Sequence, residues 1–156
     1  MWVFYRDERT LDRLSQLKGR RVVVGPEGSG TRALALTLLK PNAVTAENAT
    51  LLPLGGQAAI DALQSGAADA GFFTSSAASP QVQTLLRAPG LKVMSLVQAE
   101  AYTRLFPYLS RVVLPKGAID LLGNIPETDV ELVAPMAALV AREDLHPALI
   151  GLLVEA

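Results

Sequence analysis

Seven residues between Val24 and Arg32, Gly25-Pro26-Glu27-Gly28-Ser29-Gly30-Thr31, have the composition of a loop that holds an anion. Its glycines permit positive φ and close approach of a ligand to the backbone. A helix opening just after such a loop presents unpaired N–H groups and a partial positive charge. Ser29 and Thr31 add hydroxyl donors. Together these suit a carboxylate or another small anion. The same residues also suit a plain tight turn from strand to helix, with Ser29 or Gly30 as the cap. Glu27 is an odd neighbour for an anion. It either faces solvent or receives the ammonium group of a zwitterionic ligand.

Sharper motifs fail on spacing. A phosphate-binding G-x-x-x-x-G-K-[ST] loop finds Gly25 and Gly30, but Thr31 stands where lysine is required. The order Gly25-x-x-Gly28-x-Gly30 is not the dinucleotide fingerprint G-x-G-x-x-G. A G-x-S-x-G elbow is broken by Glu27. An enzyme using Ser29 as nucleophile and His146 as base has nothing in the sequence to bring the pair together, so no catalytic residue is assigned. His146, just before Pro147, reads as a surface residue at a helix start.

Other segments can share a site with this loop. Leu54-Gly55-Gly56-Gln57 is a second glycine turn before a helix, offering backbone donors and the Gln57 amide. In a parallel sheet such turns lie together beyond the carboxyl ends of the strands. Phe72-Phe73-Thr74-Ser75-Ser76 ends another strand. It either lends an aromatic wall and hydroxyls to a ligand or sends Phe72 and Phe73 to opposite faces of the sheet. Tyr5-Arg6 ends the first strand, where Arg6 either clamps a carboxylate or pairs with Asp7 or Glu8 at the surface.

The elements that must position these residues alternate. Strands are predicted over 2–6, 21–25, 49–54, 68–73, 92–96 and 111–114. Between them lie an apolar helical stripe (Leu11, Leu14, Leu17, with Thr10 as cap) and helices over 32–39, 57–65, 79–87 and 98–106. A loop runs from Pro115 through Pro126. An extended segment covers 130–142, and a last helix is capped by Asp144. Strands separated by helices of about ten residues imply βαβ units. The expected fold class is therefore α/β, a three-layer sandwich around a mainly parallel sheet.

Composition excludes several function classes. The 156 residues carry 14 Lys and Arg against 15 Asp and Glu, a net charge of −1, which excludes nucleic-acid binding through bulk charge. A chain that is 50% apolar and 19% charged is not a disordered tail. No apolar run approaches the roughly 18–20 residues of a membrane span. With no cysteine and one histidine, a disulfide framework, a zinc ribbon and a thiol nucleophile are excluded, and neither a metal nor a cofactor is called for.

The sequence opens on a strand at Trp2-Val3-Phe4-Tyr5 and stops within an apolar helical pattern, as an excised piece of a longer protein would. The run Trp2 to Arg6, the stretch Leu17-Lys18-Gly19-Arg20-Arg21-Val22-Val23-Val24-Gly25 leading through Gly28-Ser29-Gly30-Thr31, and Ala68-Asp69-Ala70-Gly71-Phe72-Phe73 together resemble the TAXI solute-binding proteins of TRAP transporters. Leu139-Val140-Ala141-Arg142 with Asp144-Leu145 adds to the likeness. The resemblance implies one lobe of a type 2 periplasmic-binding-protein fold over 1–156, with crossing strands near 2–6 and 131–142. It implies a small organic anion or amino acid as ligand, TRAP permease subunits as partners, and a periplasmic or membrane-anchored extracytoplasmic place. By motif position, Ser29, Gly30 and Thr31 would contact the ligand, with Gly28, Gly56, Gln57 and Phe73 beside them. Tyr5, on a hinge strand, would close over it. A ligand-sensing effector domain of a regulator shares this fold and is the alternative.

Overall fold

The structure, a computed structural model, describes residues 1–136. Its main sheet has five strands: β1 (Trp2–Tyr5), β2 (Arg21–Val23), β3 (Thr50–Leu52), β4 (Ala70–Phe73) and β5 (Lys92–Val93), in the order β3-β2-β4-β1-β5. β2 is parallel to β3 and β4, whereas β1 is antiparallel to both β4 and β5. Four strands thus share a direction and β1 alone opposes them. Two of the four strand pairings are parallel and two antiparallel, so the α/β sheet is mixed where the strand–helix alternation predicts a mainly parallel one.

The strands are apolar on both faces because both faces are covered. Side chains alternate along each strand and sort into two cores. Val3, Tyr5, Val22, Val24, Ala70 and Phe72 face α1 (Gly30–Leu39) and α4 (Ala99–Leu105). Trp2, Phe4, Val23 and Phe73 face α2 (Gly56–Ser65) and α3 (Pro80–Arg87). The result is three layers. Trp2 stacks on Phe4, their ring centroids 6.1 Å apart, and its indole N–H donates to the carbonyl of Ser75 at 2.8 Å.

A hairpin of β6 (Leu109–Leu114) and β7 (Val130–Pro135) completes the described chain. β7 lies against the main sheet: the Leu96 N–H donates to the Glu131 carbonyl, and the Met1 nitrogen donates to the Val133 carbonyl at 2.7 Å. The loop between β6 and β7 closes on reciprocal backbone bonds of Asp120 and Ile125, with Leu121 and Leu122 exposed at its tip.

One helix expectation is corrected. The stripe of Leu11, Leu14 and Leu17 forms only a 3-10 turn over Leu14–Leu17. Gln16 Oε1 accepts the N–H groups of Asp12 and Arg13, and the Leu11 N–H donates to the Tyr5 hydroxyl. These bonds take the amides an earlier helix start would need, and Thr10 caps nothing. The predicted helix after Asp144, residues 137–142 of the extended segment, and His146 lie outside the described residues.

Candidate binding cleft

The glycine loop is built by one residue that only glycine satisfies. Gly25 sits at φ +96°, and a Cβ there would lie 2.9 Å from Ser29 Oγ and 3.0 Å from the Arg32 nitrogen. That approach turns the chain from Val24 straight into α1. Ser29 is the cap: its Oγ accepts from the Arg32 N–H at 3.2 Å and donates its proton to the Pro26 carbonyl at 2.7 Å. The hydroxyl proton is therefore committed to a backbone acceptor. The amides of Gly30 and Thr31 find no acceptor among the described residues. Unpaired first-turn amides at the positive end of a helix are what an anion needs. In the same turn, Arg32 Nη1 is buried with no hydrogen-bond partner among the described residues.

Of this turn, Gly30 lines a cleft of about 350 Å³, together with Ala33, Leu34, Thr37, Thr74, Tyr108 and Pro135, whereas Ser29, Thr31 and Arg32 are not among its lining residues. Its walls are the first turns of α1, the end of β4 and the base of the β6–β7 hairpin. The Met136 N–H donates to the Tyr108 carbonyl at 3.0 Å and fixes that base. Among the described residues no charged side chain lines the cleft. Tyr108 contributes a hydroxyl, while Thr37 gives its proton to the Ala33 carbonyl and Thr74 Oγ1 donates to Met1 Sδ at 3.8 Å.

The second glycine turn joins the first but does not reach the cleft. A Cβ on Gly55 would come within 2.7 Å of the Pro26 ring, so the two turns are in contact. Gly56 and Gln57 open α2 with no side-chain cap, and the Gln57 amide nitrogen donates to Asp61 Oδ1 at 2.8 Å. Gly28 (φ +74°) and Glu27 are exposed on the loop.

Two expected residues lie elsewhere. β1 runs against β4 with Tyr5 opposite Ala70, so Tyr5 sits at the far end of the sheet, buried. Phe73 points into the second core, edge-on to Phe4 at 5.8 Å, while Phe72 faces the first core. Arg6, also at the far end, donates to the carbonyls of Leu63 and Gln64 and so caps the end of α2. Five cleft residues were not foreseen from the sequence: Ala33, Leu34 and Thr37 come from the first turns of α1, and Tyr108 and Pro135 arrive through the packing of the hairpin. Asp69, in the resembling strand motif, is a brace rather than a site residue: it receives Nε and Nη2 of Arg21 and the Arg21 backbone N–H. The Arg21 side chain beside it holds its carboxyl below the usual range. Among the described residues no cluster of ligating side chains could hold a metal ion, and no helix is long and apolar enough to cross a membrane.

Comparison with known proteins agrees with the fold. The chain is similar to the periplasmic aliphatic sulphonate binding protein SsuA of Escherichia coli, with 22% identity and a TM-score of 0.50 over 60% of this chain. The alkanesulfonate-binding protein SsuA of Xanthomonas axonopodis pv. citri gives 21% identity and a TM-score of 0.49 over the same share of this chain and 31% of its own. An ancestral arginine-binding protein gives 21% identity and 0.45, covering 60% of this chain and 39% of its own. The match covers 30% of the Escherichia coli protein, well under two thirds of its length. The α/β fold is thus like that of part of the Escherichia coli periplasmic binding protein. No curated protein sequence matches significantly. The model of the NMT1-like family matches residues 1–156. With that match over its full extent, the chain belongs to the NMT1-like family.

Proposed function

We propose that this chain is one lobe of an extracytoplasmic solute-binding subunit of a TRAP-type transporter, and that its cleft captures a small organic anion or an amino acid. One observation carries the reading: the amides of Gly30 and Thr31 at the start of α1 have no acceptor among the described residues, and Gly30 lines a cleft beside them. An anion there gains two backbone donors and the helix field with no reorganisation. Ser29 orients the turn, Thr31 adds a hydroxyl, and Gly28 keeps the loop clear of the ligand. Gly56 and Gln57 stand on the adjoining turn and face the second lobe. In this reading β1 and β7 belong to the crossing strands, and closure about them buries the ligand. The TRAP assignment rests on the sequence resemblance of residues 17–31 and 68–73.

The test is a thermal-shift panel of carboxylates, sulfonates and amino acids on the full-length protein and on this lobe alone. A ligand at a hundred times its Kd adds about 2.7 kcal/mol of stability. A clear shift is expected with the full-length protein and little with the lobe, which holds only part of the contacts. A strong shift with the lobe alone would contradict the two-lobe reading. Co-purification with permease subunits of the ABC type instead of the TRAP type would overturn the partner assignment.

A further inference from the structure

A second polar cavity, of about 280 Å³, lies at the opposite end of the sheet and is lined by Arg9, Thr10, Leu11, Gln16 and Arg20. Its polar lining is rich in donors. Gln16 Oε1 is occupied by two backbone N–H groups, which fixes the amide and leaves its nitrogen without a partner among the described residues. Both arginines lean on a single carboxylate, Asp7. Arg9 Nε lies 3.5 Å from Asp7 Oδ1, and Arg20 Nη2 pairs with Asp7 Oδ2. Arg20 Nε is held by the Gln16 carbonyl at 3.1 Å. That leaves both Nη nitrogens of Arg9 and Nη1 of Arg20 without a partner among the described residues. Two guanidinium groups share one aspartate, so the cluster has an excess positive charge. The surrounding segment repeats the imbalance: residues 6–20 contain five cationic and three acidic side chains, in a chain whose net charge is −1.

We propose that this cavity is a second anion site, distinct from the cleft, that binds a small tetrahedral oxyanion of the phosphate or sulfate class. Planar forked donors match such oxygens two at a time. Asp7 holds Arg20 in place from behind, and Arg9 supplies the mobile half of the clamp, its side chain being 81% exposed. The Thr10 hydroxyl and the Gln16 amide complete the donor set.

Inorganic phosphate is the probe, titrated into the full chain by calorimetry against chloride at matched ionic strength. A saturable isotherm with one site is expected for phosphate and none for chloride. Arg9→Ala should weaken phosphate at least fivefold while leaving the melting temperature unchanged, because its side chain packs against little. Amide chemical shifts assign the position: movement at Thr10, Leu11 and Arg20 supports the site. Equal behaviour of phosphate and chloride, unchanged binding in Arg9→Ala, or shifts confined to Gly30 and Thr31 would each overturn it. The last result would leave the cleft reading intact, so the two failures are distinguishable.

Discussion

Gly25 and Asp7 each do one thing that no neighbouring residue can do. At Gly25, positive φ and the close approach of Ser29 Oγ and the Arg32 nitrogen act together. Gly25→Ala is therefore expected to cost about 1–3 kcal/mol more than Gly28→Ala in urea unfolding, the added cost of the steric clash, and to weaken ligand binding because the α1 turn must shift. Gly28→Ala, at a similar φ but with open space around it, should cost only about 1–2 kcal/mol. Equal losses at the two positions would refute the packing argument. At Asp7, the Arg9 backbone N–H and then the Arg20 side chain lower the carboxyl from 3.8 to about 2. The folded value lies below the unfolded one, so the stabilisation is full above pH 5 and fades between about pH 4 and pH 2. Asp7→Asn should be less stable than the parent at neutral pH, and the gap should close near pH 2. A pH-independent gap in urea melts would exclude this account. Gly25 was legible as a turn glycine from its place between Val24 and Pro26. The Asp7 brace was not, because Arg20 reaches it only once the 3-10 turn and the bonds to Gln16 have folded the intervening chain back.

Helix α1 is the element on which the binding reading depends, and its cap separates stability from recognition. Ser29→Ala removes the acceptor for the Arg32 N–H and should cost about 1 kcal/mol. Ser29→Asp keeps an acceptor for the Arg32 N–H but cannot donate to the Pro26 carbonyl, and it places a negative charge at the turn that opens α1. It should be less stable than the parent, as Ser29→Ala is, and lose at least tenfold in anion affinity relative to Ser29→Ala. If the aspartate variant binds as the parent does, the anion does not sit on this turn. The helix was readable from its apolar spacing, though it begins at Gly30 and not at Arg32, because the cap recruits two glycine-loop residues into the first turn. The stripe of Leu11, Leu14 and Leu17 had the same periodicity and made no α-helix. Periodicity reports which residues are buried. The fate of the backbone amides decides whether a helix forms.

Over the whole molecule, stability resides in the two cores on either side of the sheet. Leu63 is fully buried in the second of them. Leu63→Ala should cost about 2–5 kcal/mol by calorimetry, through lost transfer energy and the void left behind. A loss under 1 kcal/mol would mean that α2 is not fixed on the sheet. The two-faced burial was legible in the apolar strands, and so was the common edge of the glycine turns. The antiparallel direction of β1 was not, since strand direction depends on partners that sequence spacing does not name. That one reversal sends Tyr5 and Arg6 away from the cleft. It also brings the amino end of β1 to it, so that the indole of Trp2, the sole tryptophan, is held to the Ser75 carbonyl next to cleft residue Thr74. The protein consequently carries its own optical probe: occupation of the cleft should alter the emission of that buried indole, and a titration can be followed by light without attaching a dye.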